Sequence, residues 1–108
     1  MTREQSDVLI RIKRAVISGR IRFSNKAQVE MDADGLTELD VVESILNAVA
    51  VYKKIRSRSP YRQRTTEYLY VIQSTNLDGL FIYTKGKLVR EGSTEIFYLL
   101  ISAKRAVE

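Results

Sequence analysis

The sequence predicts an α+β domain in which short N-terminal helices pack on one face of an antiparallel β-sheet. Three observations predict it. Apolar residues recur at helical spacing through residues 1–48. From Val49 onward they fall into short runs rich in Val, Ile, Tyr and Phe, bounded by turn residues. The connections between those runs are short, which makes neighbouring strands antiparallel.

With 108 residues the chain is expected to form one domain, 1–108, with a core that needs no staples. Hydrophobic residues make up 44% and charged residues 29%, the balance of a folded chain rather than a disordered one. There is no internal repeat, low-complexity tract or linker.

The first helix opens at Thr2, which forms a capping-box spacing with Gln5; Ser6 is a second candidate cap. Leu9, Ile12 and Val16 form its apolar stripe, flanked by Val8 and Ala15, and Gly19 stops it. Arg11, Lys13 and Arg14 point elsewhere and read as a solvated face. Residues 20–23 alternate as a short strand or an extended link. Ser24 caps a second helix that runs to Asp34, and Gly35 ends it in a left-handed conformation. Glu30, Asp32 and Asp34 look like calcium ligands, but the register fails. With Glu30 first, Gly35 falls correctly and Val41 takes the place of the bidentate Glu. Thr37 and Asp40 form another capping box, and the helix they open runs to Asn47 on Val41, Val42, Ile45 and Leu46.

Strands are expected over residues 49–58, 67–74, 79–85, 87–90 and 95–102. Residues 75–79 and 91–94 are turns by composition. Gly86 marks either a tight turn or a bulge within one longer strand. Parity puts Tyr68, Tyr70 and Ile72 on one face, with Leu69 and Val71 opposite. Phe81, Tyr83 and Lys85 stand opposite Leu80 and Ile82. Tyr98, Leu100, Ser102 and Lys104 stand opposite Phe97, Leu99 and Ile101. Each strand thus offers one aliphatic face for the helices and one face with Tyr or Lys. Where the Tyr/Lys faces coincide, the free side of the sheet is basic and aromatic.

Cysteine and histidine are both absent, which removes thiolate metal sites, disulfides and His-based catalysis. No metal or cofactor is expected. The longest apolar run, 96–101, is too short to span a bilayer, and the charged first residues do not resemble a signal peptide. A cytoplasmic protein without a membrane partner is expected. Net charge is +5 and uneven: residues 1–48 hold 7 Lys+Arg and 8 Asp+Glu, residues 49–108 hold 11 and 5. Six of the cations lie in residues 53–64: Lys53, Lys54, Arg56, Arg58, Arg62 and Arg64. The plain reading is a solvated edge strand, blunted by its charges. The functional reading is a polyanion site, with Tyr70 stacking on bases and Lys85 holding phosphate.

RNA can be cut without histidine. The 2′-oxygen attacks the adjacent phosphorus in line, which calls for a base, charge stabilisation and help for the leaving 5′-oxygen. Lysine can supply the base, and Arg56 or Arg58 can clamp the phosphate.

The run Ile12-Lys13-Arg14-Ala15-Val16-Ile17-Ser18-Gly19-Arg20-Ile21-Arg22 leads to Ser24-Asn25-Lys26-Ala27, then Gly35-Leu36, then Val51-Tyr52-Lys53. In this order the chain resembles the MqsR-type toxins, relatives of the RelE-like bacterial mRNA interferases, and small domains of unassigned function related to them. The resemblance is best over residues 9–58 and extends loosely to the last strand. It implies a curved antiparallel sheet and a type II toxin that cleaves mRNA, free or ribosome-bound, and is neutralised by a cognate antitoxin. It implies an active-site lysine at Lys53, a second at Lys104 in Ser102-Ala103-Lys104, and a tyrosine at Tyr83, with Phe81 as the alternative. The family's third-strand glutamine aligns with Glu67, a carboxylate that would repel phosphate. Parity groups Lys53 with Val51 and Ile55, and Lys54 with Tyr52 and Arg56. The site lysine is one or the other, and the resemblance selects Lys53. The rival readings are a non-catalytic RNA- or ribosome-binding module and an interaction domain for an acidic protein.

Overall fold

A computed structural model describes residues 3–60, 67–92 and 95–107. The chain runs α1 (Arg3–Ile17), β1 (Ile21–Phe23), α2 (Asn25–Asp34), α3 (Glu38–Asn47), β2 (Lys53–Arg56), β3 (Tyr68–Thr75), β4 (Phe81–Glu91) and β5 (Glu95–Arg105). The sheet order is β1-β5-β4-β3-β2. Strands β2 to β5 form an antiparallel meander, and β1 lies parallel to β5. The fold is α+β as predicted, but the sheet is mixed rather than antiparallel. A short link forces antiparallel pairing only between consecutive strands. β1 sits between two helices and reaches β5 through tertiary packing, so that rule does not bind it.

The helix signals act locally. In α1 the stripe of Val8, Leu9, Ile12, Ala15 and Val16 is buried. The helix runs 15 residues, Arg3–Ile17, ending before the predicted stop Gly19; the predicted cap Thr2 lies outside the described residues. Ser24 Oγ accepts the N–H of Ala27 at 3.1 Å, and Gly35 ends α2 at φ 70°, where a side chain would be strained. Thr37 and Asp40 exchange both capping-box bonds, at 2.9 and 3.1 Å.

One core joins the helices to the sheet: Ile12, Met31 and Ile45 meet Ile72, Ile82, Tyr98 and Leu100. α2 buries only Ala27 and Met31. Its acids have a different task. Beyond Phe23, no strand among the described residues pairs with the outer side of β5. Glu30 Oε1 accepts the Ser102 hydroxyl at 2.7 Å and the Ala103 N–H at 3.3 Å, and Asp34 Oδ2 accepts the Arg105 N–H at 2.8 Å. Edge donors that would otherwise lack a partner are thereby satisfied.

Residues 79–85 and 87–90 join into the single strand β4. Its pairing with β5 shifts between Lys85, opposite Ser102, and Gly86, opposite Leu100. Ile101 is the extra residue of a bulge in β5, and Gly86 lies in the strand rather than in a turn. Regular β2 is shorter than residues 49–58, although backbone bonds from Tyr52 N–H to Val71 and from Ser57 N–H to Glu67 extend its pairing. β5 runs three residues beyond Ser102, supported by the α2 carboxylates.

Candidate functional site: the helix-free face of the sheet

Core membership and register fix which way each strand faces. Ile72, Ile82, Tyr98, Leu100 and Ala103 turn toward the helices. The alternate residues turn away; of these, Val71 and Ser102 are buried, and Ser102 is bonded to Glu30 of α2 at the sheet edge. Two cross-strand rows lie on that free face. Lys53 pairs with Val71, Val71 with Lys85, and Lys85 with Ser102. Beside it, Gln73 pairs with Tyr83, and Tyr83 with Lys104. Residues directly opposite in a sheet present side chains to the same side, so Lys53, Lys85, Lys104, Tyr83 and Gln73 share one surface. The Lys104 ammonium stands 5.4 Å from the Tyr83 ring centroid. Lys53 and Lys85 are two strand spacings apart, roughly 10 Å.

The expected coincidence of tyrosine faces does not occur. Tyr70 lies on the helix side, next to the core, and Tyr98 is fully buried there. Leu69, Val71, Phe97 and Leu99, read as helix-packing faces, are on the free side. Only β4 presents the predicted side to the helices, through Ile82. The cause is relative phase. Parity orders residues within a strand, but the turn lengths and the Ile101 bulge set how strands align. The bulge is also what returns Lys104 to the face of Tyr83 after Leu100 has pointed inward.

Lys53 and Lys54 separate cleanly. Lys54 lies on the helix side, 3.0 Å from Glu4 Oε1 and 4.0 Å over the Tyr68 ring. Its hydrogen bond with Glu4 raises its pKa, against a smaller opposing effect of desolvation. Arg56 pairs with Tyr68 on that same side, so it does not stand beside Lys53 as a phosphate clamp. Arg58 is exposed beyond the end of β2. Arg62 and Arg64 lie outside the described residues.

Burial, with a smaller contribution from the Glu30 charge, raises the Tyr83 pKa. Tyr83 therefore keeps its proton at neutral pH. Burial likewise raises Tyr70, partly offset by Lys54.

Two features escaped the sequence reading. Gln73 is half-buried on the free face, in register with Tyr83; parity within β3 puts it on the side of Leu69 and Val71. Glu67 forms an ion pair with Lys87 at 3.0 Å, and both side chains are nearly buried, 8% and 11% exposed. The carboxylate that seemed to repel phosphate is thus neutralised beside the lysine row. Half-buried Ile55, Leu69, Phe97 and Leu99 give the rest of the face an apolar character. Arg22 stacks 4.3 Å over Phe97 and is bound by Glu91.

Among the described residues no cluster of His, Cys, Asp or Glu could hold a metal ion, and no helix is long and apolar enough to cross a membrane. No protein-family model, curated protein or solved structure matches the chain. What the geometry itself defines is a small α+β domain, on one sheet face of which Lys53, Lys85 and Lys104 gather with Tyr83 and Gln73.

Proposed function

We propose that the free face binds single-stranded RNA and that the chain is an endoribonuclease toxin of the MqsR/RelE-like kind, working in the cytoplasm without metal or cofactor. The observation that supports this most is the placement of Lys53, Gln73, Tyr83 and Lys104 on one surface. These are the residue types the family resemblance calls for, with Gln73 rather than Glu67 supplying the third-strand glutamine.

In this reading the neutral amine form of Lys53 takes the proton from the ribose 2′-hydroxyl, and the 2′-oxygen forms a bond to phosphorus as the bond to the 5′-oxygen breaks. Lys85 and Lys104 stabilise the charge on the phosphoryl oxygens. Gln73 hydrogen-bonds the ribose or the phosphate. Tyr83 gives a proton to the leaving oxygen or stacks on a base. The products end in a 2′,3′-cyclic phosphate and a 5′-hydroxyl. A cognate antitoxin with acidic and apolar residues would suit the same face, where Leu69, Phe97 and Leu99 adjoin the lysines.

A second reading is a module that binds RNA or a ribosome and cuts nothing. The position of Arg56 on the far side of the sheet favours it, because one intended clamp is missing from the lysine row.

Expression in a bacterial host tests the two together. The toxin reading predicts growth arrest with mRNA fragments bearing cyclic phosphate ends, both abolished in Lys53→Ala/Lys104→Ala. Arrest with intact RNA would establish the binder. No arrest and no RNA affinity at physiological salt would leave an interaction domain for an acidic protein.

A further inference from the structure

The outer side of α3 meets the β3–β4 turn in a shallow apolar cleft of about 260 Å³, lined by Glu43, Leu46, Asn47 and Leu77. Leu77 is 80% exposed, yet its backbone is held firmly. Its N–H donates to Glu43 Oε1 at 3.1 Å. Asn76 beside it donates to Asp40 at 3.1 Å and accepts the N–H groups of Asp78 and Leu80 at 3.0 and 2.8 Å. Those bonds account for the turn without any need for a leucine at its apex. Leu39 on α3 and Val49 just after it are also exposed, at 65% and 88%. Large apolar side chains gathered at one place on a surface mark a contact site.

The charge here is opposite to that of the chain as a whole. Glu43 lines the cleft, Asp40 is bonded to Asn76 beside Leu77, Asp78 follows Leu77 in the turn, and Glu38 stands in the first turn of α3; residues 27–52 and 65–84 contain no Lys or Arg. At the end of α3, Lys13 is bound to the Ala48 carbonyl. Such a surface repels RNA, so it is separate from the lysine face. The cleft is also smaller than the roughly 300–1,000 Å³ of small-molecule pockets. It suits one or two aliphatic side chains from a protein segment.

We propose that this cleft docks a basic amphipathic segment of a partner protein. An apolar side chain enters between Leu46 and Leu77, and flanking Lys or Arg meets Glu38, Glu43 and Asp78. The rim charges make docking salt-dependent. The proposal stands apart from the RNA reading, since it uses other residues and the other side of the molecule.

The test titrates the isotopically labelled full chain with a short synthetic amphipathic peptide of Leu and Lys, beside a Leu and Glu counterpart. The Leu/Lys peptide should shift the amide resonances of residues 38–47 and 76–80. Leu77→Ser should weaken binding by about tenfold, the lower end of what burying a leucine contributes. Glu38→Lys/Asp78→Lys should weaken it severalfold, and the Leu/Glu peptide should not bind there. All three of those positions are solvent-facing, so these variants keep the fold. Unchanged affinity in Leu77→Ser, or shifts confined to the lysine face, would overturn the proposal. So would a dimer of the free chain that Leu77→Ser dissolves, which would give the cleft to a second copy.

Discussion

Gly86 and Tyr98 occupy the same space from two strands. A Cβ on Gly86 would lie 2.6 Å from Cζ and 2.8 Å from the hydroxyl of Tyr98, and 2.8 Å from the Leu99 carbonyl oxygen. The ring of Tyr98 crosses the β4 backbone where any side chain would stand. Because Tyr98 is fully buried and the carbonyl belongs to the neighbouring strand, neither can move aside. Gly86→Ala should therefore destabilise the fold by about 3 kcal/mol, the upper part of the overpacking range. Urea unfolding would show this as a lower midpoint at unchanged slope.

The same tyrosine carries a hydroxyl that finds no hydrogen-bond partner among the described residues. Burying such a group costs about 1–3 kcal/mol. Tyr98→Phe should thus raise the unfolding midpoint, by about 1 kcal/mol once the small void is counted. A loss of stability in this variant would mean the hydroxyl has a partner.

Glu30 links acid stability to the edge of β5. Burial works against its charge, but hydrogen bonds from Ser102 and Ala103 and the nearby Lys26 outweigh it, and the pKa falls below 4.5. A depressed carboxylate contributes its stability above the unfolded value and loses it as pH falls through the folded value. Asp40 behaves alike, lowered by the Thr37 N–H and hydroxyl. Thermal melts below pH 4.5 should show a steeper decline in the wild type than in Glu30→Gln. The glutamine keeps the acceptor oxygen but does not titrate.

The Glu67–Lys87 pair is structural in this account. Removing one partner leaves the other charged and nearly buried, which costs about 3–5 kcal/mol. Glu67→Ala should be strongly destabilised, and Glu67→Ala/Lys87→Met should recover much of the loss. Equal stability in both variants would show that the pair contributes little.

Local signals were legible in the sequence because they depend on a few adjacent residues. Ser24, Gly35, Thr37 and Asp40 mark their helix ends without reference to anything distant. The acids of α2 were recognised as a failed calcium loop, but their true partners, Ser102 and Arg105, lie across the fold. Strand parity was legible too. Which parity faced the helices was not, since that depends on turn geometry and on a bulge at Ile101 that has no local signature. Tyr70 went to the wrong side for this reason. The choice between Lys53 and Lys54 could not be settled by spacing, since adjacent strand residues always take opposite faces. It took Glu4, fifty residues earlier, to claim Lys54. Gln73 stayed hidden for the same reason of phase.

The central claim is that the lysine row on the free face is the working surface, and the salt dependence of single-stranded RNA binding tests it most directly. The slope of log affinity against log salt counts phosphate contacts, at about 0.7 per contact. Lys53→Ala/Lys85→Ala/Lys104→Ala should weaken binding and flatten the slope by about 2, while Lys54→Ala/Arg56→Ala should leave the slope near the wild-type value. An unchanged slope in the triple variant, or a flattened one in Lys54→Ala/Arg56→Ala instead, would contradict the account.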